Sequence, residues 1–150
     1  MKNNKGITLI VVMITVVVLA MLTGVIVTSV GNTYENSRAV QFSSYMQMIQ
    51  KQVDIYVEEG TDYETLGRAL NTEMQERLYT ILESDIRGLI DTTDVTSDKI
   101  RYFSSSDIDE EFGISEINDE VVVNFANREV ISLNGVEKGG YTYYVLRGLQ

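Results

Sequence analysis

From Ile7 to Gly31 the chain carries only apolar, glycine and hydroxyl side chains, with neither a stripe nor an alternation. As a helix, this run of 25 residues would span roughly 37 Å, more than the roughly 30 Å hydrocarbon core of a bilayer. Many of its residues are β-branched (Ile7, Thr8, Ile10, Val11, Val12, Ile14, Thr15, Val16, Val17, Val18), which in water favours strand. In lipid the backbone must satisfy its own hydrogen bonds, and that requirement selects helix. Past Tyr34 the pattern becomes periodic. Phe42, Tyr45, Ile49, Val53 and Tyr56 recur at steps of three and four, with Ser43, Ser44, Gln47, Gln50, Lys51 and Asp54 on the other faces, which is one apolar stripe on an amphipathic helix. No Gly or Pro falls between Asn32 and Glu59, so the spacing predicts one helix from Ile7 to about Glu58, stopped by Gly60. Tyr45, Met46, Met48 and Tyr56 read as core packing rather than as a ligand surface.

Thr61 with Glu64 three residues on reads as a capping box that opens a second helical region. Leu66, Leu70, Met74, Leu78, Ile81, Leu82, Ile86, Leu89 and Ile90 keep helical spacing as far as Asp91, with possible breaks at Gly67 and at Asn71-Thr72. Residues 91–98 are a polar loop. The period then shortens. Residues 99–103, 120–125, 128–133 and 141–146 are strand candidates, with reversals at Ala126-Asn127, Asn134-Gly135 and Gly139-Gly140; Asn127 is the residue expected to take the positive φ of a tight hairpin. The fold class expected is α+β: a long N-terminal helix, further helices to about residue 91, and three or four antiparallel strands over about 99–146. The segments read as 1–6 leader, 7–31 membrane helix, 32–58 amphipathic continuation and 59–150 globular domain.

Charge sharpens the division. All 22 acidic residues lie at Glu35 or beyond, and no charge falls between Gly6 and Tyr34. Of 12 basic residues only Lys2 and Lys5 precede the apolar run, which leaves 10 basic against 22 acidic after it, a balance of −12. So acidic a surface repels nucleic acid, and none is expected as a partner. The two lysines place the N-terminus on the cytoplasmic side and the acidic part outside, a single-pass cell-membrane protein.

Candidate chemistry is sparse. With no Cys and no His, the chain has no thiol nucleophile, no disulfide and no imidazole proton shuttle or ligand. No G-x-S-x-G or phosphate-binding glycine loop is present. A carboxylate pair for glycoside hydrolysis would need a sizeable cleft, for which a small domain laid on a long helix has little room. The sequence is read as that of a protein without catalytic activity, cofactor or metal. The densest acid cluster, SDIDEEFG at residues 106–113, invites calcium, but its spacing is wrong for an EF-hand loop. A short helix accounts for more of it: Ser106 as N-cap, acids in the first turn and Gly113 as the stop.

The junction at the start of the apolar run has its own signature. The leader MKNNKG ends in Gly6 and the run opens at once with Ile7, Thr8, Leu9 and Ile10. This resembles the class III signal of type IV pilins and the related pseudopilins of type II secretion. The resemblance implies recognition of Lys2, Lys5, Gly6 and Thr8 by a prepilin peptidase, cleavage between Gly6 and Ile7, and methylation of the new terminus at Ile7. It also implies lateral packing of the helix against other pilin-like subunits through Leu9, Val11, Thr15, Ala20, Thr23, Gly24 and Thr28, among which the small and hydroxyl residues Thr15, Ala20, Thr23, Gly24 and Thr28 let backbones approach. Most family members carry Glu where this chain has Val11, a departure that points toward a minor or initiating subunit. An ordinary secretory signal cut after Val18-Leu19-Ala20 is the competing reading, and it would leave an apolar end, MLTGVIVTSV, with nothing to bury it.

A second, softer resemblance lies in residues 102–146: an aromatic strand, a short acidic helix ending in Phe-Gly-Ile, a Val-Asn hairpin, then Asn-Gly-Val and a Gly-rich step to paired tyrosines. This is similar to the C-terminal region of pilin-like proteins of Gram-positive bacteria. Together the two resemblances imply a pilin-like fold and a structural subunit, a minor pilin or a pseudopilin, of a pilus-like or type II secretion-like filament. The alternative is a monomeric surface or sensor domain anchored by its N-terminus.

Overall fold

The computed structural model describes the backbone of residues 4–150 and the side chains of residues 10–21 and 32–150. The chain divides into two compact units, with the boundary between Ser37 and Arg38. Helix α1 (Asn4–Glu58) supplies the first unit and opens the second. It begins and ends close to where the spacing places it. A left-handed Gly60 (φ 68°) closes it: the Thr61 N–H reaches the Tyr56 carbonyl at 2.9 Å and the Gly60 N–H reaches Val57 at 3.2 Å. Those two bonds form the paired C-terminal closure in which only a residue free of a Cβ sits without cost.

In the second unit the order is a 3-10 turn (Tyr63–Thr65), β1 (Arg68–Ala69), α2 (Thr72–Ser84), β2 (Ile100–Phe103), α3 (Ser105–Phe112), β3 (Val121–Asn124), β4 (Glu129–Ser132), β5 (Val136–Lys138), β6 (Tyr141–Tyr143) and a closing 3-10 turn (Leu146–Leu149). Strands β1 to β4 form one antiparallel sheet in sequence order, and β5 pairs with β6 in a separate ribbon. The α+β class with a small antiparallel sheet is as the sequence predicts.

Side chains alternate across this sheet and fill a core on each face. On one face Phe103, Val121, Val123 and Val130 meet the α1 stripe of Ala39, Phe42, Met46, Ile49 and Val53. On the other, Ile100, Tyr102, Val122 and Ile131 meet Leu78 and Ile81 of α2 and Val95 of the following loop. The central strand β3 and its edge neighbour β4 are buried along their whole length, which explains why VVVN shows no polar alternation. Of the expected stripe, Ile49 and Val53 are fully buried and Tyr45 and Tyr56 half-buried, while Met46 joins the core and Met48 stays exposed.

Several expectations need correction. No helix runs from Thr61 to Asp91: the 3-10 turn is capped by Asp62 rather than Thr61, and α2 starts only at Thr72, with Asn71 accepting from the Met74 N–H at 2.9 Å. The cause is Gly67. Its φ is +54°, and a Cβ there would lie 2.6 Å from the Tyr102 carbonyl, so the chain leaves helical geometry to run along β2 as β1. Helix α2 ends at Ser84, and Ile86, expected on its apolar face, sits in the next loop 83% exposed. In the β3–β4 turn the left-handed residue is Arg128 (φ 59°) and not Asn127. Asn127 instead turns its side-chain oxygen to the Glu129 N–H at 3.1 Å, and Asn124 does the same for Ala126 at 3.0 Å. Helix α3 is capped by Ser104, with Asp107 returning the bond, rather than by Ser106; Gly113 ends it as expected.

Candidate functional site

In the first unit the described side chains from Ile10 to Met21 form an apolar helical surface. Every large hydrophobic residue among them is exposed, from 47% at Val18 to 67% at Met21. Val11 and Thr15, four positions apart, share a face, whereas Ala20 falls on the opposite side at about 100° of rotation per residue. The Thr15 hydroxyl donates to the Val11 carbonyl at 2.7 Å, so its proton is used inside the helix. That bond lets a hydroxyl lie in apolar surroundings without a partner from another chain. Lys2 lies outside the described residues, and Lys5, Gly6, Ile7, Thr8, Leu9, Thr23, Gly24 and Thr28 belong to stretches whose side chains are not described. About half of the expected membrane span over 7–31 therefore falls outside the described side chains. Among the described residues no helix is long and apolar enough to cross a membrane.

The second unit has a feature that sequence reasoning missed. A cleft of about 570 Å³ opens between α1 and the loops before β3 and after β4, with Phe42, Met48 and Ile117 on its apolar side and Arg38, Glu116 and Asn134 on its polar side. At its base the buried Asp119 gathers three donors. Oδ2 accepts the Tyr45 hydroxyl and, at 2.7 Å, the Ser132 hydroxyl, and Oδ1 accepts the Glu120 N–H at 2.8 Å. Burial pushes the Tyr45 phenol far above its ordinary range, and the Asp119 carboxylate beside it adds to the shift. All these carboxylate bonds go to the chain itself, so Asp119 clamps α1 to the sheet. No periodic or motif signal marks Asp119, because the residues it joins are 74 and 13 positions away.

The acidic helix α3 spends two of its carboxylates locally. Asp107 caps the helix and pairs with Arg68 at 3.1 Å, and Glu111 accepts the Gly67 N–H at 3.0 Å. Burial works to raise the Asp107 carboxyl, but the Ser104 bonds and then Arg68 together hold it below the usual carboxylate range. Among the described residues no group of three or more His, Cys, Asp or Glu is placed to hold a metal ion.

On the far face of the sheet, Tyr102 and Arg77 converge on Glu120, the latter at 2.8 Å. Near the ribbon, the Arg87 guanidinium lies 4.0 Å from the centre of the Tyr141 ring and donates to the Tyr143 hydroxyl at 2.8 Å. These contacts tie α2 to the sheet and the loop after α2 to the ribbon, and bring no nucleophile beside a base. No family model, no curated protein and no solved structure matches this chain.

Proposed function

We propose that this protein is a structural subunit, a minor pilin or pseudopilin, of a type IV pilus-like or type II secretion-like filament. The observation that carries the proposal is a single helix, Asn4–Glu58, of two characters. Its described early residues, Ile10 to Met21, expose apolar side chains, and its later stripe from Ala39 to Val53 is built into the core of an α+β domain. An exposed apolar helical surface calls for lipid or other helices around it. The uncharged stretch from Gly6 to Tyr34 and the Lys5-Gly6-Ile7-Thr8 junction support the same reading.

In this reading a prepilin peptidase cuts after Gly6, Ile7 is methylated, and the span stays in the cell membrane until its helix packs beside those of other pilin-like subunits. Val11 brings no carboxylate to that packing, which suits a subunit present in few copies. Intact-mass measurement of membrane-extracted protein, with a prepilin peptidase co-expressed, tests it. Loss of residues 1–6 together with one added methyl group is expected, and Gly6→Ala should abolish the cut while leaving the chain in the membrane. An uncut chain, or one beginning at Met21, would overturn the processing. A processed chain that never cross-links to a neighbouring helix would leave the anchored monomeric domain instead.

A further inference from the structure

Asn134–Gly135 is the one Asn-Gly step in the sequence, and it carries the chain from β4 into β5. Such a step is prone to a known rearrangement, because glycine puts no Cβ in the way of its own nitrogen. Base removes the proton from the Gly135 nitrogen, which adds to Cγ of Asn134. A C–N bond forms, ammonia leaves, and a cyclic imide results. Water then opens the imide at either carbonyl to give aspartate or isoaspartate. Water is the only co-reactant.

The fold requires this glycine. Its φ is +68°, and a Cβ would stand 2.8 Å from Thr142 Cγ2 and 2.9 Å from the Tyr144 ring. Asn134 itself is exposed, so its side chain is open to reaction. What the structure restrains is the nucleophile. The Gly135 N–H donates to Ser132 Oγ at 2.8 Å, and the fully buried Ser132 passes its own proton to Asp119 at 2.7 Å, on the oxygen that also accepts the Tyr45 hydroxyl. A hydroxyl oxygen whose proton is held by a carboxylate is a stronger acceptor, and freeing the Gly135 nitrogen would leave that buried oxygen unpaired.

We propose that Asn134 is a latent deamidation site, held in its amide form by the hydrogen-bond chain from Gly135 through Ser132 and Asp119 to Tyr45, and opened when α1 separates from the sheet. The product matters for the cleft. A carboxylate at position 134 would join Glu116 and Asp119 on its lining, and the isoaspartate form would lengthen the backbone of a turn that has no slack.

The test incubates the full chain and a synthetic peptide of residues 129–138 at mildly alkaline pH and follows isoaspartate at position 134 by peptide mapping. The full chain should convert far more slowly than the peptide. Ser132→Ala should raise its rate by roughly tenfold, the factor for losing one hydrogen bond. Ser132→Thr, which keeps the hydroxyl, should restore the slow rate. Exchange of the Gly135 amide should quicken in Ser132→Ala while that of Val122 in the sheet does not, which separates release of the nucleophile from general loosening. Should Ser132→Ala fail to fold, Asp119→Asn decides, since a neutral amide holds the Ser132 proton less strongly than the carboxylate and must raise the rate by a smaller factor. Equal rates in full chain and peptide, or a wild-type rate in a folded Ser132→Ala or Asp119→Asn chain, would overturn the proposal.

Discussion

Thr92 and Glu129 stand 37 positions apart and meet twice at one oxygen: the Thr92 N–H at 2.8 Å and its hydroxyl at 2.6 Å both donate to Glu129 Oε2. The second carboxylate oxygen accepts the Asp91 N–H at 2.9 Å, and Asn124 donates to the Thr92 hydroxyl at 3.0 Å. Thr92, Asn124 and Glu129 are buried, so their polar groups rely on this network for partners, with Arg147 adding a charge 3.9 Å from Glu129 Oε1. The network pins the loop after α2 onto the edge of the sheet. Glu129→Ala should therefore destabilise the chain by about 3 kcal/mol, since it strands two backbone N–H groups and a hydroxyl. Glu129→Gln should cost less, because one oxygen remains to accept. Urea unfolding of the two variants against wild type checks the order, and an Ala variant within error of wild type would contradict the network's role.

The Tyr102–Glu120–Arg77 cluster makes stability depend on pH at both ends of the scale. The hydrogen bond from Tyr102, then that from Arg77, lowers the Glu120 carboxyl from its ordinary value. A lowered native value means that the unfolded chain takes up its proton first as pH falls, so this stabilisation is complete above the ordinary glutamate range and is lost as pH drops through the native value. Burial, then the bond to Glu120, pushes the Tyr102 phenol up from 10.0 to about 12. Here the unfolded chain loses its proton first, and stability declines as pH rises across that interval. Tyr102→Phe should reduce the alkaline limb, leaving the share contributed by the buried Tyr45 phenol, and should flatten the acid limb in part, because Arg77 still faces Glu120. Urea midpoints measured across pH would show both limbs, and an unchanged alkaline limb would rule the cluster out as its source.

How much of this could be read from the chain follows from the range of the interactions. The α1 stripe, the stop at Gly60 and the Gly113 end of α3 were legible because helix periodicity and left-handed caps are written over neighbouring residues. The pairing of β3 with β4 was legible for the same reason. Strand β1 was not: two exposed residues, Arg68 and Ala69, carry no pattern, and only the close approach of Gly67 to Tyr102 puts them in the sheet. The leucines and isoleucines from Leu66 to Ile90 keep a helical spacing that tertiary contacts override on both sides of α2. Of the β5–β6 ribbon the reversal at Gly139-Gly140 and the strand at Tyr141 were legible, whereas the short β5 was not, and β6 pairs with it instead of the main sheet. The Asp119 and Glu129 clusters were invisible, since their members are brought together only by the fold.

Gly67 should be among the least replaceable residues of the second unit. It needs a positive φ, and its missing Cβ leaves space that the Tyr102 carbonyl and the Phe103 ring already fill, at 2.6 and 2.8 Å. Its N–H is also the group that Glu111 accepts from α3. Gly67→Ala should cost about 2–4 kcal/mol from strain and overpacking together. Gly88, with a similar φ of +63° but nothing within 4 Å of its would-be Cβ, is the internal control. Gly88→Ala should show the conformational cost alone, about 1 kcal/mol. Thermal unfolding of both variants separates the two contributions, and equal losses would mean that the contact with β2 is unimportant.

The face that α1 turns to the sheet sets the last expectation. Ile49 is fully buried among Val121, Val123 and Phe103 on the α1 side of the sheet, whereas Val40 on the same helix is 69% exposed. Truncating Ile49 to Ala removes methyl and methylene groups from a filled interior and leaves a void, a loss of about 2–5 kcal/mol. Val40→Ala removes surface that water already covers and replaces a β-branched residue with the better helix former, so stability should be unchanged or slightly raised. A reversed order, with Val40 the costly position, would mean that α1 meets the sheet through a different face. Comparable losses at both sites would mean that a partner covers Val40 under the conditions of measurement, which dilution of the sample before unfolding would then reveal as a concentration-dependent midpoint.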